Sequence, residues 1–438
     1  MRHRRFIALG SVAAALAAVA LVTGAPVSSR PAAPAGPAAV AGVDDDVHLN
    51  EIQVVGSHNS YKKMVSPEEE ELRRSVIGSG ADLMQYEHPP LPIQFQSQKV
   101  RQIELDVFLD ESGGRYANPL LRTAAGKGPY DPKMQEPGIK ALHIQDVDYA
   151  TTCLTFIDCL QQIKGWSDAN PSHVPIAVLV ELKDDPLDFP GFTFTIPEKW
   201  TAANIGSVDD EIRSVMDDSD LLTPDDVRGS HPTLEDAVTT DGWPTLGESR
   251  GKVMFMMDNG GGYRTDYLSG HPTLEDRVLF TNAEPGNPDA AFVKRNDPFA
   301  PDIPDLVTDG YVVRTRSDAD TREARDNDTG PRDAALASGA QWVSTDYQAP
   351  GMAVGFTTPY VVEIPGGTVA RCNPVNGPPT CESALLDTIY TPIAPPTTTT
   401  SSPTTSTTVV STDPNDATGA VPVPALGQLH RLTSAARA

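Results

Sequence analysis

Two histidines, an asparagine, three carboxylates and a lysine stand at the ends of four apolar runs between residues 51 and 184. The first group, Gly56-Ser57-His58-Asn59-Ser60-Tyr61, follows the run Glu51–Val55. His58 can move a proton near neutral pH, and the Asn59 carbonyl oxygen suits a hard cation. The second is Ile103-Glu104-Leu105-Asp106-Val107. Strand side chains alternate, so Glu104 and Asp106 share one face. Two carboxylates on a buried face repel each other, and a divalent cation is the most direct compensation. Interior salt bridges are the plainer alternative. The third is Ala141-Leu142-His143-Ile144-Gln145-Asp146, where His143 ends an apolar run. The fourth, Val180-Glu181-Leu182-Lys183-Asp184, puts Glu181 and Lys183 on one face. Glu181 can join a metal site and Lys183 can hold a phosphate oxygen. Taken singly, these read as a surface histidine, a core histidine and an ordinary Glu–Lys pair. Four such groups in succession are not readily accidental.

The elements that would position them are short apolar runs alternating with helix-length segments. The candidate strands are 51–55, 100–108, 139–143, 176–182, 252–257, 277–281, 311–315 and 341–345. Runs such as Ile176-Ala-Val-Leu-Val180 and Val253-Met-Phe-Met-Met257 suit strands buried on both faces, as in parallel sheets. Helices are expected over 67–76, 156–166, 208–216 and 332–338. About eight strands alternating with helices predict an α/β fold of the TIM-type (β/α)8 barrel, with an open doubly wound sheet as the alternative. No glycine-rich turn follows the first strand, which argues against a dinucleotide site. The four groups then occupy the C-terminal ends of the first four strands, the face on which barrel active sites are built. The phrase His-Pro-Thr-Leu-Glu-Asp occurs at 231–236 and again at 271–276. Thr followed by acidic residues predicts a helix start in each copy, in preference to metal ligation by His231 and His271.

The 438 residues carry a net charge of −25, which excludes nucleic-acid binding through a basic face. No polybasic patch for anionic membranes is present either. Arg2, Arg4 and Arg5 precede an apolar, alanine-rich run from Phe6 to Val22 that is short for a membrane span, so residues 1–25 read as a secretory signal peptide. Residues 26–46 read as a flexible leader and 47–389 as a single catalytic domain. Residues 390–438 are a Thr/Ser/Pro-rich tail that cannot bury a core. No cysteine precedes Cys153, which excludes a lipid-modified cysteine after cleavage. Cys153 and Cys159 are six apart and Cys372 and Cys381 nine apart. Two local disulfides are the simplest of three connectivities and fit an exported protein. Neither pair has zinc-site spacing with nearby histidines.

Ser57-His58-Asn59-Ser60-Tyr61, Glu104-Leu105-Asp106, His143 and Glu181 together resemble the bacterial calcium-dependent branch of the phosphatidylinositol-specific phospholipase C superfamily. The likeness covers most of residues 47–350, with 311–315 and Val343-Ser344-Thr345-Asp346-Tyr347 as its closing strands. It implies that Asn59, Glu104, Asp106 and Glu181 hold one Ca²⁺. It also implies that His58 acts as general acid, that His143 stabilises phosphoryl charge and that a ligand carboxylate, here Glu104, acts as base. Lys183 would be a lesser, substrate-binding contributor. The implied partner is a phospholipid at a membrane or micelle surface, with no stable protein partner and a monomeric state. Glu104-Leu-Asp106, His143 and Glu181-Leu-Lys183 also resemble glycerophosphodiester phosphodiesterases, which normally carry Arg where Asn59 stands. A non-catalytic lipid or sugar-phosphate binding protein predicts a lost ligand or histidine, and none is lost. A cell-surface structural protein would explain the tail but not the paired carboxylates.

Overall fold

The structure is a computed structural model that describes residues 43–392. Ten strands build one sheet. They are β1 (Ile52–Ser57), β2 (Gln102–Phe108), β3 (Lys140–Ala141), β4 (Ile176–Lys183), β5 (Val253–Met257), β6 (Leu279–Thr281), β7 (Phe292–Lys294), β8 (Val312–Arg316), β9 (Trp342–Thr345) and β10 (Ala370–Cys372). Eight of them run parallel in the order β6-β5-β4-β2-β1-β9-β8-β7. One further parallel bridge, Asn282 to Phe292, nearly joins the two ends. This is the expected TIM-type barrel, with helices in its crossovers. β4 and β5 are buried along almost their whole length, as strands covered on both faces must be.

Seven of the eight expected strands belong to the parallel barrel, and one does not. The run 139–143 forms only β3, which pairs antiparallel with the end of β2 (Val107 with Ala141, Phe108 with Lys140). His143 therefore comes from a segment folded back on β2 and not from the end of a barrel strand. Its apolar residues are buried by that return. The true eighth strand, β7, was not expected, because three residues between Asp289 and Asn296 offer no readable periodicity.

Helices fall where capping chemistry puts them. Ser66 accepts from the Glu69 amide ahead of Pro67–Ile77, and Thr155 accepts from the Asp158 amide ahead of Phe156–Ala169. Thr233 likewise caps Leu234–Thr240. The second copy of that phrase forms no helix. Leu274 and Asp276 take positive φ (63° and 60°), which breaks the turn its threonine would have started.

The folded body begins earlier than the expected boundary at 47. Val43–Asp46 form a short helix in which Val43 is buried and Asp44 accepts from Arg250 at 2.7 Å. At the other end, β10 pairs antiparallel with the first half of β1. The segment after it reaches residues that precede barrel strands: Asp387 accepts from Arg101 Nε at 2.7 Å and from the Val174 amide at 3.1 Å. Both expected disulfides form, Cys153–Cys159 and Cys372–Cys381. The apolar N-terminal run and the Thr/Ser/Pro tail beyond Pro392 lie outside the described residues. Among the described residues no helix is long and apolar enough to cross a membrane.

Candidate active site

Register places the chemistry. Asp106 on β2 pairs with Glu181 on β4, with Glu104 two residues earlier on the same face of β2. Each of Glu104, Asp106 and Glu181 offers an oxygen within 4.8 Å of the others. Their expected meeting is therefore present. Lys183 lies on the same cluster, its Nζ 2.9 Å from Glu181 Oε1 and 3.6 Å from Asp106 Oδ2. Arg314, from β8, donates to Glu104 Oε2 at 2.5 Å. Burial, then the charge of Glu181, pushes Asp106 well above the usual carboxylate range, and burial raises Glu181 too.

This cluster fits a hard divalent cation. Two cationic side chains face three carboxylates, so one negative charge is in excess. Asp106 Oδ1 is buried and has no hydrogen-bond partner. Such an orphaned oxygen costs about 1–3 kcal/mol unless something takes it up. The donors are all oxygens, with no thiolate, which favours calcium over zinc.

His58 stands beside the cluster, its Nε2 3.7 Å from Glu104 Oε1. Its Nδ1 donates to Asp346 Oδ1 at 2.9 Å, just past the end of β9. Burial, then the Arg316 guanidinium, lowers the His58 pKa against the pull of Asp346 and Glu104. Asp346 is itself shaped from below. Burial would raise it, but His58, His88 and Arg316 hold it well under the usual range. Its amide donates to Asp318 Oδ1 at 2.9 Å, and burial with the Asp346 charge pushes Asp318 up to about 7.

The turn that carries His58 and Asn59 is fixed by hydroxyls. Ser57 donates to Gln94 Oε1 at 2.7 Å, and Ser60 Oγ accepts from the Glu104 amide at 2.8 Å. Asn59 takes φ 45°, a left-handed conformation that asparagine tolerates better than most residues. Its Nδ2 donates to Tyr86 at 2.8 Å, and its Oδ1 receives only a long 3.5 Å contact from Tyr61.

His143 is held by Asp148, which accepts from its Nδ1 at 2.7 Å. Asp148 also meets Arg73 at 2.8 Å and Lys62 at 3.5 Å. Burial opposes ionisation of Asp148, yet Lys62, His143 and Arg73 outweigh it and hold the carboxylate charged. Burial lowers His143. A chain of contacts links the two histidines: Lys62 lies 4.3 Å over the Tyr86 ring, and Tyr86 stacks on His58 at 6.0 Å.

Sequence reasoning missed Asp346, Asp148, Arg314, Arg316, Lys62 and Tyr86. Arg314 and Arg316 alternate on one strand as Glu104 and Asp106 do, and Asp346 ends a strand as His58 follows one. Those signals were available. Asp148 was not legible, because it meets His143 through a loop return.

Residues 47–374 match the family described as phosphoinositide phospholipase C, Ca²⁺-dependent. No curated protein matches the chain. Among solved structures, it is similar to a calcium-dependent phosphoinositol-specific phospholipase C from Pseudomonas sp. at 15% identity and TM-score 0.45, covering 75% of this chain and 96% of that one. It is similar to a Ca²⁺-dependent phosphatidylinositol-specific phospholipase C from Streptomyces antibioticus at 17% identity and TM-score 0.43, covering 71% and 98%. A phosphatidylinositol-specific phospholipase C from Listeria monocytogenes is 12% identical at TM-score 0.38, covering 71% and 94%. With three quarters of its length matched, the chain belongs to the calcium-dependent phosphoinositide phospholipase C family, enzymes that hydrolyse phosphoric diesters with Ca²⁺ as cofactor.

Proposed function

We propose that the protein is a secreted phospholipase C that cleaves phosphatidylinositol to diacylglycerol and a cyclic inositol phosphate. The observation that supports this best is the pairing of each histidine with its own buried carboxylate, His58 with Asp346 and His143 with Asp148, beside a three-carboxylate cluster. Asn59, Glu104, Asp106 and Glu181 would hold the calcium ion, which when bound screens the phosphate and acidifies the attacking hydroxyl.

The inositol hydroxyl attacks phosphorus while Glu104 Oε1 takes its proton. Oε2 is already engaged by Arg314, so Oε1 is the available oxygen. Attack within one molecule gains the proximity advantage. The phosphorus–oxygen bond to diacylglycerol breaks, and the departing oxygen takes a proton from His58 Nε2. His58 is suited to this because Nδ1–H is fixed on Asp346, which orients the ring and supports its charged form. Glu104 Oε1 lies 3.7 Å from that same Nε2, so the proton taken can return to His58 and reset the pair. His143, oriented by Asp148, presents its other nitrogen to the phosphoryl oxygens, and Lys183 adds a positive charge near them.

Secretion is supported by the basic, apolar N-terminal segment and by two disulfides, which persist in oxidising compartments. We place the signal peptide at 1–25, the catalytic domain at 47–389 with Val43–Asp46 packed onto it, and a non-catalytic tail at 390–438. The enzyme would act as a monomer on a phospholipid surface. The test is incubation with phosphatidylinositol and with glycerophosphocholine, each with and without calcium. Cyclic inositol phosphate from the first substrate alone, and only with calcium, is expected. Hydrolysis of glycerophosphocholine instead would move the assignment to the glycerophosphodiesterase reading, and full activity after exhaustive chelation would refute the metal ligands.

A further inference from the structure

A carboxylate offers an oxygen whichever way it turns, but a carboxamide has one end that can bind a cation and one that cannot. The terminal torsion of asparagine is broad and roughly two-fold, so the rotamer alone does not decide which end faces an ion. Asn59 is buried in a turn pinned to the carboxylate cluster: Ser60 N donates to Glu104 O at 2.9 Å, and the Glu104 amide donates to Ser60 Oγ at 2.8 Å. Asn59 Nδ2 donates to the Tyr86 hydroxyl at 2.8 Å, while Oδ1 lies 3.5 Å from the Tyr61 hydroxyl. Burial, then the Asp106 charge with Glu181 and Glu104 adding to it, pushes Tyr61 well above the usual tyrosine range, so that hydroxyl lies close to the cluster. The two ends of the amide are thus sorted, oxygen toward the carboxylates and nitrogen toward Tyr86.

Tyr86 can hold the amide because it is itself held. The wholly buried Lys62 ammonium donates to Met84 O at 2.7 Å and to Tyr86 O at 2.8 Å, and it lies 4.3 Å over the Tyr86 ring. His88 N donates to Lys62 O at 2.9 Å, and the His88 ring meets Tyr86 edge-on at 5.9 Å. Residues 84–88 are therefore tied to the same turn that carries Asn59. Among the described residues Asn59 is the only hydrogen-bond partner of the Tyr86 hydroxyl. Burial, then the Asp346 charge, raises the Tyr86 pKa well above its usual value, so the phenol stays neutral. Groups that orient a metal ligand from behind govern affinity nearly as strongly as the ligands do.

We propose that Tyr86 is a positioning residue of the metal site: its hydroxyl takes the Asn59 N–H and so keeps Asn59 Oδ1 turned to the calcium ion. This rests on the reading of Asn59 as a ligand. The test is calcium titration calorimetry on the full-length, chelator-stripped protein, which needs no turnover. Tyr86→Phe keeps the ring and its packing and should weaken calcium binding ~10-fold or more. The same change is then made in an Asn59→Asp background, where asparagine's left-handed conformation is also open to the new residue. A carboxylate presents oxygen from either end, so loss of the Tyr86 hydroxyl should there cost less than ~2-fold, the penalty having been one of orientation. Equal calcium binding by wild type and Tyr86→Phe would overturn the proposal and leave the metal site standing. An undiminished penalty in the Asn59→Asp background would also overturn it, since Tyr86 would then act on the fold and not on the amide. A wild type that takes up no calcium would remove the metal site itself, and the positioning role with it.

Discussion

Replacing Lys183 with methionine should tighten calcium binding. The Lys183 ammonium lies 2.9 Å from Glu181 Oε1 and 3.6 Å from Asp106 Oδ2, two of the oxygens proposed as ligands. Calcium sits about 2.3–2.6 Å from its oxygens, so an ion sharing the Glu181 oxygen comes within about 5.5 Å of Nζ. Two positive charges against one at that distance repel by about 1.5 kcal/mol in a medium as polar as water, and by about 6 kcal/mol at an effective dielectric of 20. The side chain is 15% exposed and can swing away, so the lower figure is the appropriate one. Methionine keeps the length of the stem without the charge, and calcium affinity should rise ~10-fold or more. Titration calorimetry on the chelator-stripped protein measures this directly, without reference to turnover. Lys183→Arg should stay near wild type. The methionine variant should also lose thermal stability in chelator and regain more than wild type when calcium is added, because its carboxylates are then uncompensated. Unchanged or weaker calcium binding in Lys183→Met would refute the argument that the lysine and the ion compete for the same oxygens.

His58→Ala and His143→Ala should each lower turnover ~10²–10⁴-fold while remaining folded by circular dichroism; near-normal rates in the pair would remove the two-histidine mechanism. Asp148→Asn strands the Lys62 and Arg73 charges in the interior and should cost about 3–5 kcal/mol in denaturant unfolding. His173 lies away from the site, fully buried between Ser167 and the Val174 carbonyl, and burial lowers its pKa to about 4. Its folded value lies below its unfolded value near 6.5, so the unfolded chain takes up the proton first. The resulting stability, about 3 kcal/mol, is complete above pH 6.5 and fades as the pH falls through 4. In His173→Gln the stability difference from wild type should shrink over that window, and a constant difference would show that His173 does not titrate with unfolding.

The barrel was legible because most of its strands are continuous apolar runs bounded by polar groups, a pattern that double-sided burial enforces. The Glu104/Asp106 and Glu181/Lys183 pairs were legible through strand alternation alone, and register then placed Asp106 against Glu181. What failed shared one cause. β3 and His143, β7, and the second His-Pro-Thr-Leu-Glu-Asp copy are short segments whose conformation is decided by what packs on them. The Asp346 and Asp148 partnerships were hidden for a related reason: a carboxylate is read as a partner only when its histidine can be placed in space.

The clasp of β10 on β1, with Asp387 drawn to Arg101 and the Val174 amide, brings the last described residues to the base of the barrel. Asp44 on Arg250 brings the first ones there too. Any tether joined through either terminus would therefore grip the molecule from behind. An enzyme leashed in that way would face outward, toward an opposing bilayer rather than the surface that holds it.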